Sequence, residues 1–133
     1  MNAVLSTEIW LLGWSAILLL LQVIAQASAS GDLGPKYLFS VRDEERKTNS
    51  VLGRRLDRAL KNLLETYPAF VALVLALAVS GKTGGIGETG AWLYLICRIV
   101  YAILYATGVP VVRTLVWLGS MIGLFMMAWR LMM

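Results

Sequence analysis

The chain contains no histidine and only one cysteine, Cys97, among its 133 residues. A single cysteine cannot close a disulfide within the chain, so a disulfide-stapled fold is excluded. Histidine and cysteine are also the usual ligands of zinc and of the common transition metals. We therefore expect a protein that works without a bound metal, and we interpret Cys97 as a small apolar packing residue.

Charged residues are also scarce. They make up 15% of the chain, whereas apolar residues make up 59%. A soluble domain of this size is nearer to half apolar, and about a quarter of its residues are charged. The composition is typical of a small integral membrane protein, which has the lipid bilayer as its first partner.

The chain does have four long apolar segments. Each approaches the roughly 20 residues with which a helix crosses about 30 Å of hydrocarbon. The first is too long for the apolar core of a cleaved signal peptide and lacks a basic flank, so we expect it to be retained. The sequence predicts an all-α membrane protein, a single four-transmembrane-helix domain over residues 1–133. The predicted spans are residues 9–29, 56–79, 91–106 and 109–131.

The basic residues predict the orientation in the membrane. Eight of the twelve lie between the first two spans or just inside the second, namely Lys36, Arg42, Arg46, Lys47, Arg54, Arg55, Arg58 and Lys61. Cytoplasmic connections of membrane proteins carry such an excess. We expect the 30–58 connection to be cytoplasmic and both termini to be non-cytoplasmic. A basic cluster of this kind faces anionic lipid, and no nucleic acid partner is expected.

Three polar residues of the second span share one stripe. Arg58, Asn62 and Glu65 are four and three residues apart, and at ~100° per residue they fall on one face of a helix. Charged groups are costly in hydrocarbon, so their presence inside a span indicates a functional site.

The third span carries Arg98 near its middle, on one face with Tyr94, Tyr101 and Tyr105. One interpretation is a structural ion pair between Arg98 and Glu65. The other is a polar cleft, formed by the two stripes and open to the cytoplasm. Arginines grip carboxylates and a glutamate accepts from an ammonium, so the cleft suits a small zwitterion with several carboxylates. A neighbouring cation would also favour the thiolate form of a bound thiol.

Two glycine-containing stretches have simpler interpretations. Residues 81–90 formally contain a G-x-G-x-x-G pattern, but no strand precedes it, so we expect a flexible turn. Gly119 and Gly123 form a small-xxx-small pair that allows two helices to approach closely.

The polar patterns have a definite spacing. They are Arg58-x3-Asn62-x2-Glu65, followed by Pro68 and Phe70, and Arg98-x2-Tyr101-x3-Tyr105. The first resembles the second-helix signature of the MAPEG family, the membrane-associated proteins in eicosanoid and glutathione metabolism. The second is similar to the third-helix signature of that family, and the resemblance covers essentially the whole chain.

The resemblance implies a microsomal glutathione transferase-like protein. Such a protein is a homotrimer that binds glutathione as co-substrate between neighbouring subunits, near the cytoplasmic side. It uses glutathione in transferase or peroxidase reactions on small lipophilic electrophiles. Carried over by position, the residues that contact glutathione are Arg58, Asn62, Glu65, Arg98, Tyr101 and Tyr105. Arg113 is the catalytic candidate that stabilises the thiolate, and Arg42 would reach a carboxylate.

Two departures from the family pattern leave other functions open. Leukotriene-synthase-like members carry a tyrosine directly after the glutamate, where this chain has Thr66. Arg113 also falls one residue later, relative to Tyr105, than the activating arginine of those members, which turns a helical side chain by ~100°. A non-catalytic lipid-binding or accessory subunit is therefore one alternative. A small four-helix drug exporter that uses Glu8 is another, although a helix N-terminus also stabilises a glutamate.

Overall fold

The computed structural model of the chain describes residues 5–29 and 50–133. These residues form four α-helices, which are α1 (Thr7–Ala29), α2 (Val51–Val79), α3 (Gly85–Thr107) and α4 (Pro110–Met132). Each is long and apolar enough to cross a membrane. The predicted all-α bundle of four transmembrane helices is confirmed, and the protein is an integral, multi-pass membrane protein.

The second helix begins earlier than its apolar run indicated. It starts at Val51 rather than near residue 56 because Ser50 caps it. The Ser50 hydroxyl oxygen accepts a 3.1 Å hydrogen bond from the backbone N–H of Gly53. The first turns carry Arg54 and Arg55, so hydropathy does not detect them. At 29 residues the helix is about 43 Å long, which is more than the ~30 Å of a hydrocarbon core.

The third helix also begins early, so the expectation of a flexible turn over residues 81–90 is wrong in its second half. The turn ends at Gly84, and α3 starts at Gly85. Gly90 is buried against α4. A Cβ atom at Gly90 would lie 2.5 Å from the backbone oxygen of Gly123, so only glycine permits this contact between α3 and α4.

The close approach expected from the small residues of α4 is confirmed. A Cβ atom at Gly123 would lie 2.6 Å from the backbone oxygen of Gly90, and one at Gly119 would lie 2.9 Å from Sγ of Cys97. Cys97 therefore packs against a glycine of the neighbouring helix. α3 and α4 form the most extensive helix pair of the bundle.

The apolar core fills only one half of the bundle. Its residues are Leu11, Phe70, Val74, Leu77, Ala91, Tyr94, Leu95, Leu124 and Met127. At the centre of this cluster the rings of Phe70 and Tyr94 stack, with centroids 4.3 Å apart. These positions all lie towards the start of α1 and the α2–α3 turn. The other half of the bundle buries Ala59 and Leu63 together with the charged side chain of Arg98.

Hydrogen bonds join the chain segments at the end of the bundle next to this core, which we call the closed end (Glu8, residues 80–84 and Arg130). The Glu8 carboxylate accepts from the N–H of Gly84 at 2.8 Å. Lys82 Nζ donates to the carbonyl of Leu131 at 2.8 Å, and Arg130 Nε donates to the carbonyl of Lys82 at 3.0 Å. The closed end thus ties α1, the α2–α3 turn and α4 together.

Candidate functional site

The opposite half of the bundle is organised by a pair of polar contacts between α2 and α3. The guanidinium of Arg98, which is 1% exposed, donates from Nη1 to Oδ1 of Asn62 at 2.8 Å. One turn further towards the closed end, the hydroxyls of Thr66 and Tyr94 share a 3.1 Å hydrogen bond. The partners are four residues apart on each helix, so the two contacts fix the antiparallel register of α2 and α3.

The structural ion pair between Arg98 and Glu65 is not formed, so that interpretation is wrong. Asn62 faces α3, whereas Glu65, three residues further on, is turned by about 60° around α2 and is exposed. Because the amide of Asn62 takes the hydrogen bond from Arg98, the Glu65 carboxylate lies beside the site without pairing with Arg98.

Two further donors of Arg98 have no partner. Within residues 5–29 and 50–133, its Nε and Nη2 are buried and make no hydrogen bond. A buried donor without an acceptor costs about 1–3 kcal/mol, and more when the group is charged. The arrangement is therefore incomplete by itself, and an anionic acceptor would complete it.

Aromatic rings continue the site from Arg98 along α3. The Arg98 guanidinium carbon lies 4.4 Å from the centroid of the Tyr101 ring. The Tyr101 and Tyr105 rings meet edge to face at 5.6 Å. Two more guanidinium groups contact Tyr105, that of Arg113 at 4.3 Å and that of Arg58 at 5.9 Å. We call this alternation of arginines and rings the cationic ladder (Arg98, Tyr101, Tyr105, Arg113 and Arg58).

Tyr94 does not belong to this site, in contrast to the expectation that it lines the cleft. Its ring stacks on Phe70 in the core and its hydroxyl bonds to Thr66. Thr66, the residue directly after Glu65, is likewise engaged, because its hydroxyl also contacts the carbonyl of Leu63 at 3.3 Å. Both residues are structural.

The turn between α3 and α4 offsets the extra residue before Arg113. Gly108 ends α3 in the left-handed conformation with φ of 81°, Val109 is extended, and Pro110 starts α4. This turn directs Arg113 back towards α3, where its guanidinium lies over the Tyr105 ring. The ~100° slip expected for a continuous helix therefore does not carry the side chain away from the site.

The site is open on one side of α2. Arg58 and Glu65 are exposed, and Asn62, Tyr105 and Arg113 are half-buried. The structure thus brings together seven of the eight residues predicted from the sequence, while Arg42 lies outside the described residues. Three arginines face one glutamate, so the site can hold an anion with more than one carboxylate and an ammonium near Glu65.

Sequence reasoning missed one residue next to this site. Arg55, one turn before Arg58 on α2, donates from Nη1 to the backbone oxygen of Ala106 at the end of α3, at 3.3 Å. The pattern of basic residues groups Arg55 only with the connection between the first two spans. The sequence does contain a signal for this contact. In an antiparallel pair the start of α2 lies beside the C-terminus of α3, and a helix C-terminus attracts a cation.

The fold and the site define a small integral membrane protein with an arginine-rich polar site between its helices. The model of the MAPEG family matches residues 7–133, and the chain belongs to this family. No curated protein and no solved structure matches the chain.

Proposed function

We propose that the protein is a membrane-bound, glutathione-dependent transferase or peroxidase that acts on lipophilic electrophiles. The observation that carries this proposal is Arg98, a buried guanidinium with one amide partner and two donors unsatisfied among the described residues. A side chain of this kind inside a membrane bundle is retained for an acceptor that binds there. The family membership of the chain makes glutathione the first candidate.

The chemistry of glutathione fits the residues around Arg98. The molecule carries two carboxylates, one ammonium and one thiol. Arg98 and Arg58 offer planar donors for carboxylates, and Glu65 offers an acceptor for the ammonium. Asn62 holds Arg98 in place through the 2.8 Å hydrogen bond, so its role is to orient the guanidinium.

Arg113 is the residue that we assign to the thiol. Its guanidinium and the Tyr105 ring are in contact at 4.3 Å, so a cation and a phenol lie together at the end of the cationic ladder away from Arg98. A cation beside a thiol favours the thiolate, which is the nucleophile. In the transferase reaction the thiol proton passes to solvent, sulfur bonds to the electrophilic carbon, and the leaving group departs with its electron pair.

The peroxidase reaction uses the same thiolate. Sulfur attacks the terminal oxygen of a lipid hydroperoxide, the O–O bond breaks, and the alkoxide that leaves takes a proton from solvent. The products are an alcohol and a sulfenic acid of glutathione. A second glutathione condenses with the sulfenic acid, releases water and forms the disulfide. In both reactions Arg113 acts by electrostatic stabilisation, and no metal takes part.

The exposed charged side chains on the open side of the site support an oligomeric assembly. Arg58 and Glu65 are charged, exposed side chains on a helix that spans the membrane, and lipid is a poor environment for them. We propose that a neighbouring subunit covers this face in a homotrimer. The same proposal places the site half towards the cytoplasm and the closed end on the other side, in accord with the basic residues around the start of α2.

Glu8 argues against the exporter alternative. Its carboxylate is 1% exposed and bonds to the backbone N–H of Gly84, which is a structural role at the closed end. The accessory-subunit alternative has one observation in its favour, because the hydroxyl of Thr66 is directed into the protein, where it contacts Tyr94 and the Leu63 carbonyl.

Isothermal titration of the detergent-solubilised protein with glutathione tests the proposal. We expect saturable binding to the wild type and a loss of about tenfold or more in affinity for Arg58→Ala. This variant lacks the guanidinium that would hydrogen-bond to a carboxylate of glutathione. Lys61→Ala is the matched control, since Lys61 is an exposed cation of the same helix and pairs with Asp57 at 3.0 Å. A folded wild type that does not bind glutathione would refute the proposal.

Arg113→Met separates catalysis from the accessory role. The proposal predicts that this variant still binds glutathione but loses about a hundredfold or more in turnover, as when one electrostatic donor is removed from an active site. If the wild type binds glutathione and neither form turns over any lipophilic electrophile, the accessory role is supported.

A further inference from the structure

Arg55 of α2 contacts the corner between α3 and α4, which consists of residues 106–109. Besides its hydrogen bond to the carbonyl of Ala106 at 3.3 Å, the Arg55 guanidinium packs directly on Gly108. A Cβ atom at Gly108 would lie 2.9 Å from Cζ and from Nη2 of Arg55. Arg55 thus links the start of α2 to the backbone of the corner by two separate contacts.

The corner determines where Arg113 lies. Tyr105 is two residues before the end of α3, and Arg113 is in the first turn of α4. Only Gly108 and Val109 separate the helices, and their φ values of 81° and −89° set the direction of α4. Because helices are stiff, a rotation at Gly108 would move the Arg113 guanidinium relative to the Tyr105 ring, which now lies 4.3 Å away.

The chemistry of the corner explains why an arginine holds it. The last carbonyl groups of a helix carry partial negative charge and lack intrahelical partners. Gly108 satisfies two of them, since its N–H contacts the carbonyl oxygens of Leu104 and Tyr105 at 3.0 and 3.2 Å. Arg55 takes the carbonyl of Ala106. A flat guanidinium can also lie against the glycine, which a lysine ammonium cannot reproduce.

We infer that Arg55 is a positioning residue that fixes the α3–α4 corner on α2 and thereby holds Arg113 over Tyr105 for its action on the thiol. The inference rests on the proposed function for its catalytic consequence, but not for the contact itself. Arg55 is distinct from the arginines of the cationic ladder, because its contacts with the described residues are to the backbone of the corner.

The variants are Arg55→Met, which removes the guanidinium, and Arg55→Lys, which keeps only the charge. Lys61→Met is the control on the same helix. The first measurement is hydrogen exchange in detergent over residues 104–113. We expect faster exchange there in both Arg55 variants and unchanged exchange at the closed end, because only the corner loses a contact. Unchanged exchange over residues 104–113 would show that Arg55 does not fix the corner.

The second measurement is the pH dependence of turnover with glutathione and a lipophilic electrophile. A displaced Arg113 stabilises the thiolate less, so the apparent pKa of the bound thiol rises and the profile moves to higher pH. A tenfold loss in thiolate corresponds to about one pH unit. We expect kcat at neutral pH to fall by about tenfold to a hundredfold. The affinity for glutathione should stay within about threefold of wild type, because Arg58 and Arg98 still bind its carboxylates.

The outcomes separate the two proposals. A partly unfolded variant would lower the amount of active protein without moving the pH profile, so an unchanged profile in a folded Arg55→Lys protein overturns the positioning role. If the wild type does not bind glutathione, the proposed function and this catalytic role both fail. The hydrogen-exchange measurement over residues 104–113 then decides by itself whether Arg55 fixes the corner.

Discussion

Arg98 and Asn62 form the central polar contact of the bundle, a 2.8 Å hydrogen bond from Nη1 to Oδ1 between α3 and α2. The contact leaves a buried guanidinium with an uncharged partner, and two of its donors are free among the described residues. A carboxylate partner would have neutralised Arg98 within the protein. An amide orients the cation and leaves its charge available to a ligand, and the first two predictions follow from this difference.

Removal of the amide is expected to destabilise the protein. Asn62→Leu leaves the Arg98 donor without its acceptor, which should lower the free energy of unfolding by about 1.5–3 kcal/mol. Asn62→Asp, the matched control, keeps an acceptor at the same position and should be at least as stable as the wild type. Unfolding in mixed micelles measures both. An Asn62→Leu variant as stable as the wild type would show that the hydrogen bond does not contribute.

Removal of the charge is expected to have the opposite consequence. Arg98→Met replaces a buried, incompletely paired guanidinium with an apolar chain of similar length, which removes the cost of burying that charge. We expect unchanged or higher stability in the same micelle assay, together with the loss of glutathione binding. A loss of about 3 kcal/mol or more would instead identify Arg98 as a structural residue.

The contact between α3 and α4 supplies a third prediction, which concerns stability alone. Gly90→Ala would place a Cβ atom 2.5 Å from the backbone oxygen of Gly123, so the helices must separate, at a cost of about 1–3 kcal/mol. Gly13→Ala in α1 is the control, because a Cβ atom there meets nothing within 4 Å. It should gain about 0.5–1 kcal/mol from helix propensity. Equal thermal stability of the two variants would contradict the packing described here.

Glu8 allows a fourth prediction. Glu8→Gln retains an acceptor oxygen for the N–H of Gly84 and should change stability little, whereas Glu8→Leu should lose about 1–3 kcal/mol. Transport of a lipophilic cation into or out of proteoliposomes is expected to be absent for all three proteins. Proton-coupled transport by the wild type that Glu8→Gln abolishes would replace the present account with the exporter alternative.

The sequence was sufficient to predict the four helices because each contains an apolar run of nearly membrane-spanning length. It did not predict where α2 and α3 begin. The first turns of α2 are charged and capped by Ser50, and those of α3 are rich in glycine, so neither is apolar. Gly90 is helical because of the tertiary contact with Gly123, a constraint that local propensity does not contain.

The candidate site could be assembled from helical periodicity, but its pairing could not. Spacing placed Arg58, Asn62 and Glu65 on one stripe without showing which of them faces α3. The rotation of α2, fixed by packing, selects Asn62 as the partner of Arg98 and leaves Glu65 exposed. The rotation of α3 places Tyr94 in the core, where its ring stacks on Phe70. The position of Arg113 depends on the backbone of a two-residue turn, which periodicity does not describe.

The most direct test of the account is thioether formation from glutathione and chlorodinitrobenzene by the purified protein in lipid vesicles. We predict a rate that is saturable in glutathione, is proportional to protein, and is lost in Arg98→Met while Lys61→Ala retains it. The account would be contradicted if the folded wild type produced thioether no faster than vesicles without protein, or if Arg98→Met were as active as the wild type.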